Sequence, residues 1–187
     1  MQRRSIDGLS ASIPMYALGA IFLVPLTIGV LLVSTNASQN DQANQISRDV
    51  VSMYAQGMDF SQSANQNIAI RVAERLGMKS GDGVLILTKL RVVHDSDCAS
   101  KAGCTNRGHA VIVQRYVMGN AALRQSSFGT PPGVDAATGN IPNWANDVAA
   151  RAQDFSPDLK SGEYTYAAEC YLMSPESHTG VYSRVIY

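Results

Sequence analysis

Residues 13–33 read IPMYALGAIFLVPLTIGVLLV, a run of 21 in which only Tyr16 and Thr27 carry a polar side-chain group. No charged side chain stands between Gly8 and Asn40. A helix rises about 1.5 Å per residue, so a stretch of this length covers the roughly 30 Å hydrocarbon layer of a bilayer. It also satisfies its own backbone N–H and C=O groups, the condition for a lone segment to cross lipid. The run therefore predicts a transmembrane helix. Its packing positions, toward lipid or toward other helices, are Ile13, Leu18, Phe22, Pro25, Val30 and Val33. Pro14 falls in the first turn, where its missing N–H costs little, and Pro25 is expected to kink the middle.

Charge sets the predicted orientation. Arg3 and Arg4 precede the run, and no Lys or Arg follows it before Arg48. By the positive-inside rule the N-terminus is cytoplasmic and the remainder extracytoplasmic, as in a single-pass membrane protein. Two readings compete with it: a signal peptide cut after the small residues around Thr35-Asn36-Ala37, and a buried helix of a soluble protein.

Beyond the run, residues 34–45 (STNASQNDQANQ) are polar but hold neither Pro nor Gly, so nothing obliges the helix to stop. Ile46, Val50, Met53, Tyr54 and Met58 then recur at helical spacing. This predicts one continuous helix, ending near Gly57 and Asp59. A second helix is expected over 61–76, capped by Ser61, burying Ala64, Ile68, Ala69, Val72 and Leu76, and stopped by Gly77. The period then shortens to two. Residues 84–93, 110–118, 163–173 and 180–187 read as four strands, the last two joined by a turn at 174–179 containing Pro175. Residues 119–162 form a long irregular connection with a short helix expected over 143–153, where Trp144, Val148 and Ala152 share a face. The order predicts an α+β fold with helices on one face of a four-stranded antiparallel sheet. The divisions are 1–34 for the cytoplasmic stub and membrane helix, 35–60 for the helical extension, and 61–187 for the extracytoplasmic domain.

Lys plus Arg equals Asp plus Glu at 15 each, so no basic field exists to draw in nucleic acid, and no such partner is expected. Cys98 and Cys104 share one inter-strand loop and, outside the cytoplasm, are expected to form a disulfide. Cys170 sits within a strand and reads as a buried thiol, with a bridge to the loop cysteines as the alternative. His94, Asp95, Asp97 and His109 lie near the two loop cysteines, but without the ligand spacing of a metal site. No nucleophile elbow or phosphate-binding glycine loop occurs, so no enzyme activity and no cofactor are expected. Two features remain as candidate binding surfaces. One is the long connection, marked by Pro131, Pro132 and Trp144; loops of such length are often functional. The other is the strand set Tyr164, Tyr166, Tyr171, Tyr182 and Tyr187, which reads more simply as cross-strand packing.

Three stretches carry a family resemblance: MDFSQSANQNIAIRVAERLG (58–77), GVLILTKLRVV (83–93) and QRYVMGNAALRQSSFGTP (114–131). With the N-terminal helix, they make the chain resemble TadE-like pseudopilins, minor components of the tight-adherence (Tad, Flp-type) pilus and secretion apparatus. The resemblance implies a pilin-like fold and a structural or assembly role. It implies partners among membrane lipid, other pilin-like subunits and Tad assembly proteins, and localisation in the inner membrane, with a place in a cell-surface pilus as a further stage. Arg3, Arg4 and Gly8 keep the shape of the family's leader. The Glu found five residues after the leader glycine is absent, since Leu9-Ser10-Ala11-Ser12-Ile13 follows Gly8. The alternative is a membrane-tethered binding or adhesion domain.

Overall fold

The computed structural model describes residues 12–98, 104–155, 159–160, 162–173 and 180–187; the side chains of 12–22, 31–33 and 35–36 lie outside that description. The chain divides into two units, Met1–Ser38 and Gln39–Tyr187. The expected turn at 174–179 falls outside the described residues.

Helix α1 runs Ser12–Ala55, 44 residues with Pro25 inside it. Its portion in the first unit holds the apolar run. Pro25 removes one backbone bond of the ladder, and nearby the Thr27 hydroxyl donates to the Val24 carbonyl at 2.9 Å.

In the second unit the remainder of α1 buries Ala43, Ile46, Val50, Val51 and Tyr54. Those spacings of three and four residues place one stripe of the helix against a sheet. Helix α2 is Ser63–Arg75. Two details depart from expectation. Its N-cap is Gln62 rather than Ser61, and no side chain caps it. The preceding turn is fixed by Asp59 instead, whose Oδ1 accepts from the Ser61 N–H at 2.9 Å while its carbonyl accepts from Asn65 Nδ2 at 2.7 Å. Second, α2 buries Ala69 and Ala73, whereas Ala64 and Ile68 are exposed and Val72 and Leu76 half-buried. Small side chains at i and i+4 allow close approach, and that geometry outweighs the greater apolarity of Ile68. Gly77 ends the helix with φ +107°, and a Cβ there would stand 2.8 Å from the Gln42 side chain.

The strands are β1 Gly83–Val92, β2 Ala110–Gly119, β3 Thr165–Met173 and β4 Gly180–Ile186, antiparallel in the order β2-β1-β3-β4. A one-turn helix α3, Asp95–Cys98, lies within the β1–β2 connection. The helix-facing side of the sheet contributes Leu85, Leu87, Tyr116, Met118, Ala168, Cys170 and Leu172 to one core with α1 and α2. The opposite side is covered as well. Leu90, Ile112 and Ala167 pack with Phe128, Ile141 and Ala150 from the long connection. Burial on both faces explains why β1 is apolar at consecutive positions, where a half-exposed strand would alternate.

The connection 119–162 therefore serves as a structural layer. It also shields the outer edge of β2, where the Arg115 N–H donates to the Gly139 carbonyl at 2.8 Å and the Ile141 N–H to the Val113 carbonyl at 3.0 Å. Gly139 has φ +68°, and a Cβ there would come within 2.6 Å of the Tyr116 ring, so this close approach requires glycine. The helix expected over 143–153 reduces to turns and a short 3-10 segment, Val148–Ala150, with Val148 exposed. Pro142 and the turn-forming Asn143, Asn146 and Asp147 account for this, and the Asp147 side chain accepts from the Ala149 N–H at 2.9 Å.

Candidate functional site

In the first unit, Leu23, Val24, Leu26, Ile28 and Val30 are between 51% and 64% exposed. Burying each fully is worth roughly 1.5–3 kcal/mol, so five within eight residues form a surface that gains strongly from a cover. Of the packing positions read from sequence, Pro25 and Val30 are exposed on this helix. Ile13, Leu18, Phe22 and Val33 lie in its backbone, with side chains outside the described residues. Among the described residues no helix is long and apolar enough to cross a membrane.

In the second unit, a cleft of about 360 Å³ opens at the β1–β2 end of the sheet, lined chiefly by Lys89, Arg91, Gln114, Asn140, Trp144 and Tyr164. Arg91 is its anchor. The guanidinium donates to Asp97 Oδ1 at 2.5 Å and to the Tyr164 hydroxyl at 3.3 Å, and its carbon lies 4.7 Å from the Trp144 ring centre. Asp97 is held in turn by the His94 N–H, which donates to Oδ2 at 2.9 Å. Adjoining Asp97 is Cys98, joined to Cys104 with Cα atoms 5.5 Å apart, the pairing expected from sequence. The disulfide thus braces the turn that carries the Arg91 partner. Lys89 Nζ sits 4.1 Å over the Tyr164 ring and 5.4 Å over Tyr166, a favourable cation–π position.

On the loop-covered face a buried carboxylate organises a second network. Glu169 accepts from the Ser127 N–H at 2.8 Å, from the Tyr182 hydroxyl at 2.6 Å, and from Ser126 Oγ. Arg115, also buried, donates to Ser126 Oγ at 3.0 Å, to Thr88 Oγ1 at 3.2 Å and to the Gly129 carbonyl. Burial lowers the Arg115 guanidinium to about 10, against the opposing pull of the Glu169 charge. The geometry fastens residues 126–129 onto the sheet.

The remaining sequence candidates disperse. Pro131 is buried, Pro132 exposed and Trp144 half-buried. Asp95 pairs with Arg107 at 3.1 Å, and the His94 ring meets the Leu159 carbonyl at 3.0 Å. No group of three His, Cys, Asp or Glu side chains that could hold a metal occurs among the described residues. The tyrosines split between faces. Tyr166 packs on the helix-side core, while Tyr182 reaches Glu169 on the other side and pairs in register with Tyr171. Sequence reasoning missed Lys89, Arg91, Glu169 and Arg115. The available signal was a charged residue set among apolar strand neighbours, which must find a partner or a surface.

In comparisons with known proteins, no family model, no curated protein and no solved structure matches the chain.

Proposed function

We propose that the chain is a membrane-anchored structural or assembly subunit of a pilin-like filament, of the TadE-like class, in a Tad/Flp-type pilus or secretion system. The observation carrying this reading is the exposed apolar surface of α1 from Leu23 to Val30, within a helix of 44 residues. The charge-free sequence around it and the family resemblance of 58–77, 83–93 and 114–131 support the same reading. Its physical logic is an exchange of cover. Apolar side chains that meet lipid before assembly meet neighbouring helices afterwards, so little apolar area is exposed to water at either stage. The test places photo-crosslinkers at Leu26 and Val30, with exposed Lys79 of the second unit as reference. Crosslinks to like subunits or to other membrane helices from 26 and 30, exceeding those from 79, are expected. Crosslinks to no protein at either helix position in the native membrane contradict the reading.

The cleft at Arg91 and Trp144 favours a second reading, a tethered extracytoplasmic binding domain. Point changes in the cleft test it better than removal of 119–162, because Phe128, Ile141 and Ala150 of that segment are core.

A further inference from the structure

We infer that the Lys89–Arg91–Asn140 cleft binds a carboxylate-bearing ring of single-sugar size, a uronic-acid unit. The inference stands independently of the membrane anchor and of filament assembly.

The donor inventory decides the charge of the ligand. Among the described residues Lys89 Nζ has no hydrogen-bond or ion-pair partner and is held only over the rings of Tyr164 and Tyr166. Arg91 is 9% exposed, and its Nε is buried without a partner, although its other nitrogens are engaged. Asn140 accepts from Gln114 Nε2 at 3.0 Å through Oδ1, which leaves its own Nδ2 as an unspent donor. Of the three only the Arg91 Nε is buried; Lys89 is half-buried and Asn140 exposed, so the last two donors are open to a ligand arriving from solvent.

Acceptors in the cleft are already in use. Gln114 Oε1 accepts from the Tyr54 hydroxyl at 2.7 Å, and the Tyr164 hydroxyl accepts from Arg91. Among the described residues no carboxylate lines the cleft. Asp97, nearby, offsets Arg91, and among the described residues the ammonium of Lys89 has no ion-pair partner. A ligand rich in acceptors and carrying one negative charge fits this inventory, whereas a cation does not.

Shape sets the size. A cleft of about 360 Å³ lies at the small end of ligand sites and holds one ring rather than an extended peptide. Its walls include exposed Pro142 and the 42% exposed Tyr164, against which the C–H face of a sugar ring can lie, while the Trp144 ring lies against the Arg91 guanidinium. The carboxylate would then meet Lys89 Nζ and Asn140 Nδ2.

The experiment titrates the full chain in detergent micelles with glucuronate, glucose, acetate and inorganic phosphate, following Trp144, the single tryptophan, by fluorescence. Glucuronate is expected to bind at least tenfold tighter than glucose or acetate, and phosphate no better than acetate. Lys89→Gln and Asn140→Leu, both at positions outside the cores, should each weaken glucuronate at least tenfold. Lys79→Gln, which removes an equal charge elsewhere, should leave binding unchanged. The inference is overturned if glucose or acetate equals glucuronate, if phosphate exceeds it, if Lys89→Gln has no effect on a folded protein, or if no saturation occurs by about 10 mM glucuronate.

Discussion

The Tyr54 hydroxyl donates to Gln114 Oε1 at 2.7 Å, joining the last turn of α1 to β2 across 60 residues of sequence. Around this bond the Tyr54 ring meets Phe60, Tyr116 and Tyr166 edge-on, with ring centres 5.0–6.0 Å apart. Gln114 shares its amide hydrogens among the Tyr116 hydroxyl, the Thr138 carbonyl and Asn140 Oδ1, so helix, sheet and long connection meet at one side chain. Tyr54→Phe keeps the ring packing and strands a part-buried acceptor, at an expected cost of about 1–2 kcal/mol. Tyr54→Ala also empties the aromatic cluster and should cost ~3–5 kcal/mol. Denaturant unfolding of the two variants checks the pair, and equal losses would show that the hydroxyl contributes nothing.

Glu169 supplies a second prediction. It is 2% exposed and accepts from Ser126, Ser127 and Tyr182 together. Glu169→Ala leaves those donors and the buried Arg115 without their organising carboxylate, an expected loss of roughly 3–5 kcal/mol. Proteolysis should follow the same route, with cleavage appearing first in 119–131 as this segment loosens from the sheet. A variant with unchanged melting temperature and cleavage pattern would refute the assigned role.

The disulfide closes a short loop, and its loss should cost about 2 kcal/mol through the freedom returned to the unfolded chain. Because α3 carries Asp97, paired Cys98→Ala and Cys104→Ala changes should also loosen the salt bridge to Arg91. Trp144 fluorescence, reporting on the ring beneath that guanidinium, is expected to shift in the double variant. Lowered stability without a fluorescence change would separate the disulfide from the cleft.

Cys170 is buried, and burial pushes its thiol up to about 12 from the ordinary 9.0. The sign follows directly. Both states hold the proton below about 9, where the contribution to stability is complete; above it the unfolded chain ionises first, and the contribution is lost as pH rises toward 12. Melting curves between pH 8 and 11 should therefore fall more steeply for the native chain than for Cys170→Ala. Cys170 should also resist iodoacetamide until the protein unfolds. Parallel pH slopes for the two proteins would contradict the assignment.

Much of the second unit was legible because its elements obey simple periods. Ile46, Val50 and Tyr54 marked the buried stripe of α1, and the strands revealed themselves by β-branched runs. The loop pairing of Cys98 with Cys104 was equally readable from proximity. What escaped depended on packing partners distant in sequence. Ala69 and Ala73 occupy the close-contact face of α2 because small size matters more there than apolarity, which misdirected the reading toward Ile68. Phe128, Ile141 and Ala150 follow no period, so a connection that forms half of a core looked like an open binding loop. The consecutive apolar residues of β1 were the clue to that second layer. Glu169, placed beside Cys170 in an otherwise apolar strand, was the clue to the network beneath it.

The claim on which the proposed function rests is that residues 13–33 hold the protein in a bilayer, and extraction of native membranes with alkaline carbonate tests it most directly. The account predicts that the chain stays in the membrane pellet, and that Leu26→Arg combined with Val30→Arg releases it, since each Arg at a helix centre costs roughly 2.5–3.5 kcal/mol on insertion. Recovery of the unaltered chain in the carbonate supernatant would contradict the anchor and the filament subunit together.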